Sequence, residues 1–91
     1  MTYSLTKEGN SSIGDSGLMS MFIYEKDDKV EYEHNARPRV GGIMRVGSHY
    51  SRSYQNQDYW QTSMITEILE ETDDTVKFKT LNSIYIWKEF I

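Results

Sequence analysis

Apolar and polar positions alternate with a period of two over most of the chain, which is the signature of strands half-buried on one face. Tyr3 and Leu5 alternate with Thr2, Ser4 and Thr6, as an edge strand would. Residues 9–17 carry three glycines, three serines, Asn10 and Asp15, which reads as a flexible loop. Leu18 to Tyr24 is a dense apolar strand, Glu25 to Asp28 a turn, and Lys29 to His34 an alternating partner, so 18–34 predicts a hairpin. Pro38 forces extended geometry on Arg37 and marks Asn35 to Pro38 as a loop. Val40 to Val46 is a strand whose Gly41-Gly42 pair signals a bulge, a sharp bend or close backbone approach. Residues 47–58 are polar and aperiodic, a second flexible loop and a long one for a domain of this size. Tyr59 to Glu71 fits neither period cleanly, but the β-branched Thr62, Ile65, Thr66 and Ile68 favour one strand. Thr72 to Thr75 is a turn, Thr75 to Leu81 a strand, Asn82-Ser83 a corner and Ile84 to Phe90 the last strand.

This pattern predicts an all-β domain over residues 1–91, a small, partly open barrel of five to six antiparallel strands, SH3-like or alternatively OB-like. Composition agrees. Ala36 is the only alanine and Pro38 the only proline, against seven tyrosines, a balance that favours sheet over helical bundle. Trp60 is assigned to the core, because large aromatics dominate small cores. With 91 residues and no cysteine, a disulfide scaffold, a thiolate zinc site and a cysteine nucleophile are excluded. The N-terminus has neither a basic start nor an apolar stretch of signal-peptide type, and no apolar run is longer than that of Met21 to Tyr24. A cytoplasmic setting with no membrane contact is the expectation.

Charge is unevenly placed. Residues 1–33 and 61–91 are acidic, while 34–60 hold all four arginines (Arg37, Arg39, Arg45, Arg52) and both histidines against Asp58 alone. The chemical motifs elsewhere fail on inspection. Gly14-Asp15-Ser16-Gly17 matches the serine-protease tetrapeptide, but both histidines follow it in the chain and the double barrel of those enzymes does not fit. Gly9 to Ser16 approximates a phosphate loop with Asp15 where lysine belongs, which repels phosphate. His34 and His49 have no further ligands at metal-binding spacing, so no metal and no cofactor are expected. Glu70-Glu71 and Asp73-Asp74 read as solvated turn charges. The chain is therefore expected not to be an enzyme.

The candidate binding segment is 37–60. Arg37, Arg39, Arg45, Ser48, His49, Tyr50, Arg52, Tyr54 and Tyr59 combine guanidinium groups for phosphate, rings for stacking and hydroxyls for hydrogen bonds. This mixture suits a phosphate-bearing, nucleotide-type small molecule. It equally suits a protein interface, as in an inhibitor of a host protein or a self-assembling subunit, since Tyr, Trp and Arg supply most hot spots. RNA or DNA binding comes third, because the net charge is −4. The competing view is that the arginines only pair with the protein's own acidic strands.

Trp60-Gln61-Thr62-Ser63 and the later Thr80-Leu81-Asn82-Ser83-Ile84-Tyr85 carry a resemblance. The C-terminal third is similar to small uncharacterised phage and bacterial β-barrel proteins, in which a Thr-Ser pair opens a strand and a Thr-x-Asn-Ser-x-Tyr segment closes the domain. The resemblance implies a small β-barrel, a viral origin and hence a host cytoplasm; it brings no activity. On the residues themselves, Thr80, Asn82 and Ser83 are suited to satisfying backbone groups at the corner between two strands.

Overall fold

A computed structural model describes residues 2–47 and 59–90. These residues form nine strands and no helix: β1 (Thr2–Lys7), β2 (Asn10–Gly17), β3 (Met19–Lys26), β4 (Lys29–His34), β5 (Gly42–Gly47), β6 (Tyr59–Gln61), β7 (Ile65–Glu71), β8 (Thr75–Thr80) and β9 (Ile84–Phe90). All pairings are antiparallel and make two sheets, one ordered β2-β1-β9-β8-β7 and the other β4-β3-β5-β6. The all-β expectation holds. The strand number is higher than five to six, and among the described residues no ladder closes the two sheets into a barrel.

Two departures explain the difference. Residues 10–17, expected as a loop, form strand β2 at the edge of the first sheet. Gly14 there serves contact rather than looseness. A Cβ on Gly14, whose φ is +146°, would lie 1.9 Å from the Leu5 carbonyl oxygen, so only glycine lets β2 lie this close to β1. Residues 59–71, expected as one strand, divide at Thr62–Met64 into β6 of one sheet and β7 of the other. Thr62 makes the crossing: its N–H donates to the Met44 carbonyl, its Oγ1 accepts from the Met44 N–H, and its hydroxyl donates to the Ser63 carbonyl. These side-chain bonds replace the ladder where the chain leaves the sheet.

A single residue, Leu18, separates β2 from β3, so the chain turns from one sheet into the other there. The inner faces share one core. Tyr3, Leu5, Ile65, Val76, Phe78, Tyr85 and Trp87 come from the first sheet, and Phe22, Met44 and Val46 from the second. Rings run through it in stacked pairs: Tyr3 with Trp87 at 5.9 Å, Phe78 with Tyr85 at 5.7 Å, Phe22 with Tyr24 at 5.6 Å. A second cluster, Met19, Met21 and Ile23, lies on the opposite face of β3 against Ile43 and Tyr59.

One polar group crosses the core. Ser20 is buried, and its Oγ accepts from the Trp87 indole N–H at 2.9 Å while its hydroxyl donates to the Ala36 carbonyl at 2.8 Å. The Ala36 N–H returns a bond to the Ser20 carbonyl. The core tryptophan is thus Trp87, completely buried; Trp60, assigned to the core from sequence, is 36% exposed. It occupies a three-residue edge strand, where one flank of a side chain has no neighbouring strand to cover it.

Turns follow the expected chemistry. Asp27 and Asp28, with φ of 52° and 62°, close the β3–β4 hairpin in the left-handed geometry that two-residue hairpins favour. Gly42 marks close approach, since a Cβ there would lie 2.5 Å from the Ile23 carbonyl oxygen and from the Phe22 ring. At the last corner Thr80 donates to the Ser83 carbonyl through both its N–H and its hydroxyl, the satisfying role read from the sequence.

Candidate functional site

Strand parity decides where the arginines sit. Arg45 pairs across the ladder with Met21 and with Gln61, and Met21 is opposite His34. Residues directly opposite in antiparallel strands share a face, so these side chains lie on the outer face of the four-stranded sheet. Phe22 and Tyr24, one residue out of phase, lie on the inner side, and Arg39 stacks over them at 4.3 Å and 5.4 Å. Arg37 stacks over the core residue Trp87 at 5.5 Å. Arg37 and Arg39 therefore border the core while Arg45 faces away from it. The structure does not bring the three together.

Their partners differ as well. Arg37 donates to the backbone carbonyls of Thr72 and Asp73, and its Nε lies 3.5 Å from Glu71 Oε2. It ties the β4–β5 connection to the β7–β8 turn. Arg39 makes a two-pronged bond to Glu33, with Nη1 to Oε1 at 3.0 Å and Nη2 to Oε2. The Arg39 hydrogen bonds hold the Glu33 carboxyl below its usual range, and Glu33 in turn raises the Arg39 guanidinium. Both side chains do what the competing sequence reading assigns to them, pairing with acidic or carbonyl groups of their own chain.

Arg45 is the exception. Its Nε and Nη2 donate to the Gln61 side-chain oxygen at 2.9 Å and 2.7 Å, and its guanidinium stacks on Tyr59 at 4.4 Å. Among the described residues no carboxylate lies within ion-pair distance of it. A neutral amide fixes its orientation, and among the described residues no carboxylate offsets its charge. Arg45, Tyr59, Trp60 and Gln61 line a shallow depression of about 450 Å³ at the β6 edge. Gln61 is an addition to the sequence-derived set; Trp60, opposite Val46, borders the depression from the inner side of the sheet. The signal for Gln61 was its two-residue spacing from Tyr59, which on a strand puts both on one face.

Ser48, His49, Tyr50, Arg52 and Tyr54 lie outside the described residues, as does most of the long loop expected at 47–58. Gly47 closes β5. A second depression, about 370 Å³, lies at the opposite sheet between Lys7, Lys79 and the Leu81–Ile84 corner. Among the described residues no group of three or more His, Asp or Glu side chains is placed to hold a metal ion. Among the described residues no helix is long and apolar enough to cross a membrane. The chain matches no family model, no curated protein and no solved structure.

Proposed function

We propose that this protein is a non-enzymatic binding module that takes a phosphate-bearing, nucleotide-type small molecule at Arg45, Tyr59 and Gln61. The observation that carries this reading is the arginine held by a neutral amide over a ring. Gln61 directs the Arg45 guanidinium, and among the described residues no carboxylate pairs with it, which suits it to a phosphate. Tyr59, on the same face, supplies a flat apolar surface beside it for a base. The depression is open and shallow, which favours sequestering a ligand over enclosing a reaction. We read the two-sheet fold as a flattened relative of the partly open, SH3-like barrels, because the chain passes between sheets at Leu18 and at Thr62–Met64.

Thermal shift and calorimetric titration with nucleoside mono- and diphosphates test the proposal. Arg45→Ala removes a charge-assisted contact worth about 1.5–3 kcal/mol, so binding should weaken roughly 10- to 100-fold with the fold intact. No binding by any nucleotide, or binding that Arg45→Ala leaves unchanged, overturns it. The nucleic-acid reading has less support, because Arg37 and Arg39 are already engaged within the chain.

A further inference from the structure

The sheet edges are unequal. β7 pairs with β8 through two register shifts, and the β1–β2 ladder carries one. Such irregularities blunt an edge against further pairing. β6 has only three residues. β4 differs: it pairs with β3 from Met21–His34 to Lys26–Lys29 without a shift, and it is the outermost strand of its sheet.

The turn fixes which backbone groups of β4 are free. In a two-residue hairpin the flanking residues, here Lys26 and Lys29, form a hydrogen-bonded pair, and bonded and non-bonded pairs then alternate. Lys29, Glu31 and Glu33 thus direct their N–H and C=O groups toward β3. Val30, Tyr32 and His34 direct theirs outward. The same three residues place their side chains on the outer face, with Val30 56% and Tyr32 52% exposed. Among the described residues no strand pairs with this edge, and it carries the apolar side chains of Val30 and Tyr32.

We infer that β4 pairs antiparallel with β4 of a second copy of this chain, fusing two four-stranded sheets into one of eight strands. Charge selects the register. With Glu31 at the two-fold axis, Val30 faces the partner's Tyr32 and Lys29 faces the partner's Glu33, each twice, and Asp28 faces the partner's His34. Glu33 is held in place for this by Arg39. Shifting the centre to Tyr32 sets Glu31 opposite Glu33 twice; shifting it to Val30 sets Asp27 opposite Glu33 twice. Like charges directly opposite destabilise a ladder. The central register keeps one like-charged contact, Glu31 with itself, and that contact provides the test.

The chain has no cysteine, so single thiols can be placed without background. Opposite residues of a non-hydrogen-bonded pair are about 4.5 Å apart at Cα, within the roughly 4.4–6.8 Å that a disulfide spans. Under mild oxidation Glu31→Cys should become a covalent dimer, while Val30→Cys, which faces Tyr32, should cross-link at least about tenfold more slowly. In sedimentation velocity the unmodified chain should show a concentration-dependent dimer, and Glu31→Gln should shift it further toward dimer. Tyr32→Pro deletes an outward N–H that β3 does not use and should leave a monomer with unchanged circular dichroism; if that variant does not fold, the cysteine pair decides. A monomer at every concentration, or equal cross-linking of the two cysteine variants, overturns the inference.

Discussion

Replacing Ser20 with alanine probes the polar link through the core. Ser20 is 1% exposed and Trp87 fully buried, so water cannot take over the lost bonds. The Trp87 N–H loses its acceptor, and an unsatisfied buried donor costs about 1–3 kcal/mol. The Ala36 carbonyl loses the hydroxyl it accepts from, at about 1 kcal/mol net. The sum is about 2–4 kcal/mol. At roughly 4–8 °C per kcal/mol for a domain of this size, Tm should fall on the order of 10–25 °C. Urea unfolding followed by circular dichroism gives the free energy directly. The decisive comparison is the same substitution in a Trp87→Phe background, where no indole N–H remains to be orphaned. There Ser20→Ala should cost only about 1 kcal/mol, the carbonyl's share. A cost below about 0.5 kcal/mol in the unmodified chain, or an equal cost in both backgrounds, would refute the reasoning.

Gly42→Ala drives a methyl group into the Ile23 carbonyl and the Phe22 ring, and should destabilise by about 1–3 kcal/mol or more in chemical denaturation. Arg37→Lys gives up the forked contact to two carbonyls and the stack on Trp87, and should cost about 1–2 kcal/mol in the same assay. Arg45→Ala should leave stability within about 0.5 kcal/mol, since its contacts are exposed. Because Arg39 lowers the Glu33 carboxyl in the folded state, their pairing stabilises fully above the unfolded carboxylate pKa, near 4.3, and is lost as pH falls through the lower folded value. Arg39→Met should flatten that acid limb of the stability–pH curve; an unchanged limb argues that the pair contributes nothing.

The fold class and most strands were legible because alternation reports which face is buried, as at Tyr3 and Leu5 or Val76 and Phe78. Two errors came from one cause. Residues 10–17 look like a loop by composition, and Trp60 looks like core by size, yet both lie on edge strands where neighbours, not intrinsic preference, decide the outcome. The break at Thr62–Met64 was hidden because Thr62 satisfies the backbone with its side chain, which local pattern does not display. Of the site, sequence identified the residue types but not their dispersal. Arg39 and Arg45 are separated by six positions, but Arg39 lies in the β4–β5 connection over the inner rings of Phe22 and Tyr24, while Arg45 is on the outer face of β5. The acidic partner of Arg39, Glu33, is also six residues away, and the alternation of 29–34 displays it only as one side of a strand.

The central place of β9 has a kinetic consequence. β9 lies between β1 and β8, and Thr2 is opposite Phe90 across the first ladder. The five-stranded sheet therefore has no middle until the last described strand arrives, and its two halves must each wait with an open edge. Contacts between such distant residues are made only after nearly the whole chain has lost its freedom, which places folding in the slow, millisecond-to-second regime typical of non-local β topologies. During that wait the hairpins β1–β2, β7–β8 and β3–β4, the last closed by its two aspartates, are able to form from local contacts alone. The refolding rate should accordingly respond strongly to changes in β9 and weakly to changes in that turn.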